Sequence, residues 1–320
     1  MIRYLIRRLG YALLLVWGVA TLLFVLLQAA PGEFLSDMRL NPQISAETIA
    51  GLRSQYGLDQ PLPARYYRWM GSLVRGEFGY SFAYNLPVSS LLGPRIRNTL
   101  LLTVPALVIS WLLAVPLGVL AAHRKAGWID RAFSAGTSTL LAFPDLLIAL
   151  LILLFALRTG IFPAGGMSSA NEAQGWWKNM LDTVWHMVLP VMALVAGSLP
   201  VLLRHVRASM VEVLDSSFVR AAQGHGLSTK RLLFRHALPA AANPLISLFG
   251  LSIAGLLSVS LLVEVVVGWP GIGPLLTEAI LSRDLFVVIA AVVVSTLFLV
   301  IGNLAADLLL YAFDPRIRVR

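Results

Sequence analysis

The sequence predicts an all-α polytopic membrane protein, and three observations predict it. Hydrophobic residues make up 58% of the 320-residue chain and charged residues only 13%, against about 25% charge in a soluble domain. Mean hydropathy is +0.79. The apolar residues gather in six stretches, roughly 9–30, 98–122, 132–157, 184–204, 242–263 and 285–312, each long enough to cross a ~30 Å hydrocarbon layer at ~1.5 Å per residue. At roughly 150 residues per domain the length would allow two soluble domains, but this pattern makes residues 1–320 a single transmembrane domain.

The first stretch follows Arg3, Arg7 and Arg8, as a signal peptide would. It exceeds the ~7–15-residue core of a cleaved signal, and no small-x-small site follows it, so an uncleaved first span is expected. The next segment, 31–97, is patterned as a small helical cap. Ser45 is placed to cap a helix whose Ile49, Leu52 and Tyr56 share a face, with Gly57 to end it. Pro63 then opens a second helix bearing Tyr66, Tyr67, Met70 and Val74 before Gly76.

Charge sets the orientation. Of the 25 Lys and Arg residues, 15 fall on alternate segments that include both termini. Seven of the other ten lie in the long segment 31–97, and long translocated loops count little. Both termini are therefore expected in the cytoplasm, with 31–97 on the periplasmic side and 204–241 on the cytoplasmic side. The formal charge of +9 is a topology signal, and no aromatic-interleaved basic patch points to nucleic acid.

Within the spans, Pro105, Pro116, Pro144, Pro190 and Pro200 interrupt backbone hydrogen bonding, which suits a pathway that opens and also occurs in static bundles. Gly250, Ala254 and Ser258 place a smooth stripe on the fifth span, fit for intrachain packing or for a subunit contact.

Several chemistries are excluded. There is no cysteine, hence no disulfide, thiolate metal site or cysteine nucleophile. Zincin, serine-hydrolase and phosphate-loop motifs do not occur. The five histidines show no metal-ligand spacing. The chain is not expected to be an enzyme or to hold a cofactor of its own.

The most informative segment is Asp215 to Pro239, DSSFVRAAQGHGLSTKRLLFRHALP. Asp215 or Ser216 is placed to cap a short helix through Ala222, Gly224 and Gly226 to form a tight turn, and Ser228 to cap a second helix that Pro239 ends. Two roles fit these residues: docking of a partner against the small residues Ala221, Ala222 and Gly226, or an interfacial helix on anionic lipid through Arg220, Lys230, Arg231 and Arg235.

The spacing Arg220-Ala221-Ala222, three residues, Gly226-Leu227, then His236, one residue, Leu238-Pro239 resembles the cytoplasmic coupling motif of permeases in ATP-binding-cassette importers. Arg220 in place of the motif's general glutamate, and His236 in place of its isoleucine, look like the B-type subunit of the dipeptide/oligopeptide/nickel branch. Ala30-Pro31-Gly32, Gly57-Leu58-Asp59-Gln60-Pro61, Gly76-Glu77-Phe78-Gly79-Tyr80-Ser81, Trp269-Pro270-Gly271-Ile272-Gly273, Asn303-Leu304 with Asp307, and Asp314-Pro315-Arg316 resemble that branch's landmarks in order, across nearly the whole chain.

The resemblance implies a multi-pass permease subunit of the bacterial or archaeal inner membrane. Its partners would be a homologous C-type permease, two cassette ATPases that hold ATP and magnesium, and an extracytoplasmic solute-binding protein. It implies peptide cargo, with nickel complexes or glutathione as alternatives on the same scaffold. It also implies that Arg220, Ala221, Ala222, Gly226, Leu227, His236, Leu238 and Pro239 couple to the ATPases. A non-transporting membrane anchor and an ion-driven carrier are the readings from other classes, and no inverted repeat supports the carrier.

Carboxylates in spans are costly and usually face a cavity or a partner. Asp145 and Glu264 are therefore candidates for the translocation path; Asp145 equally suits a structural role beside Pro144. Asp307, towards the inner end of the last span, suits packing or the membrane interface.

Overall fold

A computed structural model of the chain describes residues 2–29, 59–81, 83–169 and 175–313, together with Glu47 and Gly51. The expected first cap helix at 45–57 and the Ala30-Pro31-Gly32 and Asp314-Pro315-Arg316 landmarks lie outside the described residues, apart from those two positions.

The described chain is almost wholly helical. Its elements in order are α1 (Ile2–Ala29), α2 (Leu62–Val74), the strands β1 (Tyr80–Ser81) and β2 (Leu86–Pro87), α3 (Val88–His123), α4 (Trp128–Ala142), α5 (Asp145–Thr159), α6 (Trp176–Leu214) and α7 (Ser217–Gly224). The short α8 (Thr229–Arg231), a π-helical turn (Leu232–Ala237), α9 (Leu238–Ala240), α10 (Ala242–Val266), α11 (Ile272–Leu281) and α12 (Leu285–Phe313) follow. Five helices, α1, α3, α6, α10 and α12, are long and apolar enough to cross a membrane; α4 and α5 together make a sixth crossing if counted as one span.

That sixth crossing is where the expected span over 132–157, interrupted at Pro144, takes its shape. The chain bends by 96° between α4 and α5. Proline disfavours the helical region for the residue before it, so Phe143 is extended (φ −94°, ψ 131°) and Pro144 becomes the N-cap of α5. By contrast, α3 and α6 run to 36 and 39 residues, well past the expected bounds of 98–122 and 184–204.

The chain divides into two compact units, with α3 and α12 contributing to both. The smaller comprises Ile2–Asn98 and Pro270–Leu297. Here α2, opened by Pro61 and with Pro63 in its first turn, lays its aromatic face on α1. Phe24 stacks on Trp69 with ring centroids 5.4 Å apart, Thr21 Oγ1 lies 2.7 Å from Tyr66 Oη, and Ile289 and Val293 complete the cluster. The two-residue ladder of β1 with β2 pairs Tyr80 with Pro87 and Ser81 with Leu86, the one departure from an all-α reading among the described residues. Buried Asp284 accepts hydrogen bonds from Ser81 Oγ at 2.6 Å and from the Ala83 N–H at 3.2 Å. Gly79, at φ +93°, leaves room for Phe286, whose ring a Cβ would meet at 2.7 Å.

The larger unit comprises Thr99–Trp269 and Phe298–Arg320. Its axis is α6, which packs against α4, α5 and α10 and buries both of its prolines, Pro190 and Pro200. One apolar cluster joins Leu102, Ala149, Leu194, Leu256, Val263 and Trp269. A second joins Ala114, Val206 and Met210 to Leu233, Ala237 and Leu245. In the small-residue stripe, Gly250 packs within the chain: a Cβ there would stand 2.6 Å from Ala306 Cβ of α12, and one on Gly302 would meet Ile253 Cγ2 at 2.8 Å.

Candidate coupling segment and polar layer

Segment 215–239 leaves the end of α6 and returns into α10. The Asp215 N–H closes α6 on the Val211 carbonyl and the Ser216 N–H on the Val213 carbonyl, each at 3.1 Å, and α7 starts at once from an extended Ser216 (ψ 155°) whose side chain makes no cap hydrogen bond. Of the two glycines expected to make the turn, only Gly226 has a positive φ, +76°; Gly224 is the last residue of α7. Nothing lies within 4 Å of where a Gly226 Cβ would stand, so backbone conformation, not space, demands glycine there.

Beyond the turn, Pro239 does not end a helix. The chain winds from α8 through the π-helical turn into α9, turns at Ala241 and continues as α10. Leu238 N–H reaches back five residues to the Leu233 carbonyl. Pro239 has no N–H to donate, and in an α ladder its ring would press on the Arg235 carbonyl. The wider turn immediately before it relieves that conflict and keeps the path helical.

The segment has two faces. Val219, Leu232, Leu233 and Ala237 are buried, and Leu233 and Ala237 pack with Val206 and Met210 of α6. Arg220, Ala221, Gly226, His236 and Pro239 are exposed, while Ala222, Leu227 and Leu238 are half-buried. All eight residues expected to couple therefore lie along one anchored segment, none of them in the core. Phe218 and Phe234, 48% and 46% exposed, add large apolar groups to its surface that the motif spacing does not single out. Arg220 Nη2 donates to the Asp215 carbonyl at 3.3 Å.

The end of α6 that feeds this segment is clamped. Arg207 donates to the Asp130 carboxylate of α4 through both Nε and Nη2, the latter at 2.7 Å. The Ala126 N–H donates to the same carboxylate at 2.9 Å. Gly118 of α3 lies so close that a Cβ would come within 2.7 Å of Val206 Cβ. Lys125 Nζ reaches Asp215 Oδ2 at 2.8 Å. Nothing in the spacing of Asp130 and Arg207, 77 residues apart, announces this pair.

The two path candidates sit elsewhere. Asp145 opens α5, half-buried, and lies over Gly197 of α6, where a Cβ would stand 2.5 Å from Asp145 Oδ1. Glu264, near the end of α10, is fully buried, and its backbone carbonyl accepts the N–H of buried Trp269 at 2.8 Å.

Membrane-length helices, with a folded and partly exposed segment between two of them, define a polytopic membrane protein. Residues 114–319 match the family described as binding-protein-dependent transport system inner membrane component, and residues 1–103 match its N-terminal counterpart; the chain belongs to this family. It is 35% identical over 319 residues to the oligopeptide transport system permease protein AppB of Bacillus subtilis (strain 168), covering 99% of each chain. It is 32% identical over 321 residues to the dipeptide transport system permease protein DppB of Lactococcus lactis subsp. cremoris (strain MG1363), covering 100% of each. Among solved structures, the MetNI methionine ABC transporter in inward-facing conformations shares the fold, with a TM-score of 0.58 and 17% identity over 70% of this chain and 96% of that one.

Proposed function

We propose that this chain is the B-type permease subunit of an ATP-binding-cassette importer for short peptides. It works beside a homologous C-type permease, two ATPases that hold ATP and magnesium, and an extracytoplasmic binding protein. The observation that carries the reading is the segment 215–239, whose motif residues are exposed while Val219, Leu232, Leu233 and Ala237 fasten it to the membrane helices. A surface that only floated on lipid would need basic side chains and an apolar face. It would have no use for Gly226 at positive φ or for a clamp on the helix behind it.

The motion follows from this attachment. When ATP closes the ATPases, the segment is displaced, and α6 carries that displacement to α3 through Gly118 and to α4 through Asp130. ATP shifts the population only as far as it binds the outward-open state more tightly than the inward-open one. Asp145 and Glu264 are the candidates for the path; Asp145 keeps partial exposure, and Glu264 stands behind the surface. Both termini face the cytoplasm, as the Lys and Arg distribution requires.

The test is Gly226→Val in the purified complex. A β-branched residue at φ +76° is strained, so the turn distorts. Loss of the ATPases, or their retention with hydrolysis that no longer answers to cargo, is expected. Full assembly with wild-type transport would remove this segment from the coupling role.

A further inference from the structure

Polar groups on four helices of the larger unit gather around the middle of α6. Residues 197 and 198 fall near the middle of α6. Ser198 Oγ lies 2.7 Å from Ser110 Oγ of α3. The next residue of α3, Trp111, donates its indole N–H at 3.0 Å to Ser252 Oγ, midway along α10. Gly197, one residue before Ser198 on α6, meets Asp145 of α5. Apolar clusters lie to either side of this layer.

The serines and Trp111 satisfy one another, and Asp145 is different. Among the described residues its carboxylate has no hydrogen-bond or ion-pair partner, although it is neither buried nor fully exposed. Neither its own helix nor α6 brings a Lys or Arg close to it. Along α5 the first is Arg158, ~20 Å further on, and along α6 from Gly197 the first is Arg204, ~10 Å away by helix rise. The helix backbone next to it is interrupted too. Pro200 brings no N–H to the Ala196 carbonyl four residues back, so that carbonyl lacks its regular α-helical donor one residue from Gly197.

A carboxylate held among membrane-length helices without a side-chain counter-ion marks the route of a charged solute. The Asp145 carboxylate only accepts, and a primary ammonium, with three N–H donors, fits it where an anion or a neutral acceptor does not. We propose that Asp145 is the permease's subsite for the cargo's cationic group, the free amino terminus of a short peptide. The subsite rests on the import reading above. Gly197 is the positioning residue: only a hydrogen at that Cα lets the carboxylate lie against α6.

The test is uptake of trialanine and N-acetyl-trialanine by the complete complex in proteoliposomes, with Asp145→Asn and Asp145→Glu compared against wild type. Asparagine keeps the size and removes the charge; glutamate keeps the charge and adds a methylene against Gly197. Charge recognition predicts that Asp145→Glu retains trialanine uptake within about threefold, while Asp145→Asn loses about tenfold or more, the scale of a charge-assisted hydrogen bond. The penalty of Asp145→Asn shrinks for N-acetyl-trialanine. The binding protein is the same in every arm, so the change in preference belongs to the permease. The reverse order, with asparagine tolerated and glutamate damaging, overturns the subsite and leaves a packing role. Wild-type complex that moves no peptide overturns the import reading itself, and the subsite with it.

Discussion

Arg207 and Asp130 join α6 to α4 by two parallel hydrogen bonds, and the Asp130 side chain is only 6% exposed while that of Arg207 is 30% exposed. The pairing is bidentate, the arrangement that makes Arg–carboxylate contacts geometrically specific. Removing one partner of a buried pair costs about 3–5 kcal/mol, and the partial exposure of Arg207 puts this case at the low end. Asp130→Asn is expected to lower the thermal unfolding midpoint of the detergent-purified subunit, with a loss of about 3 kcal/mol. Exchanging the two residues should recover part of it. An unchanged midpoint in Asp130→Asn would mean that the pair adds nothing to stability.

The contact of Gly250 with Ala306 yields a packing prediction. Gly250→Val drives a side chain into α12, and overpacking of this kind costs roughly 1–3 kcal/mol. Combining it with Ala306→Gly should return much of the loss, a coupling that a double-mutant cycle reads directly. Additive losses in the double variant would show that α10 and α12 do not meet through this pair.

Tyr84 yields a pH prediction. Burial, first, and then the hydrogen bond and negative charge of Glu278 push its phenol from 10.0 up to about 12. The folded form therefore holds this proton more tightly than the unfolded form. Its contribution is complete below pH 10 and is lost as the pH rises from 10 towards about 12. The phenolate absorbance of the wild type minus that of Tyr84→Phe isolates this one residue, and Glu278→Gln should lower its midpoint. No movement in Glu278→Gln would break the assigned link.

Topology is testable without background, because the chain has no cysteine. Gln60→Cys should react with an impermeant maleimide added to intact cells. His225→Cys, on the exposed turn after α7, should react only after permeabilisation. The opposite pattern would invert the orientation.

The helices were legible because they are written in composition: a run of Leu, Val and Ala long enough to span a bilayer has few other stable forms. The break of the third stretch was half legible. Pro144 announces an interruption, but a 96° bend depends on where α5 packs once it has restarted. In segment 215–239 the turn at Gly226 and the start near Ser216 follow from local rules. The continuation through Pro239 does not, since a π-helical turn has no residue signature and arises from the conflict between a proline and the ladder before it. The Asp130–Arg207 pair and the layer of Ser110, Ser198, Trp111 and Ser252 were illegible for another reason. They join residues dozens of positions apart, and only the fold decides which helix faces meet.

The π-helical turn has a mechanical corollary. Each of its hydrogen bonds spans one residue more than an α-helical bond, so between the exposed surface of α7 and the membrane helix α10 the chain stores one residue of slack. Drawing that residue into regular α geometry would lengthen the path by ~1.5 Å and rotate one side against the other by ~100°, and it would bring the Pro239 ring back onto the Arg235 carbonyl. The proline thus acts as a latch on the slack: the connector keeps its length under a push, and the break at Ala241, where the helical path is already interrupted, is the place at which the segment can pivot on α10.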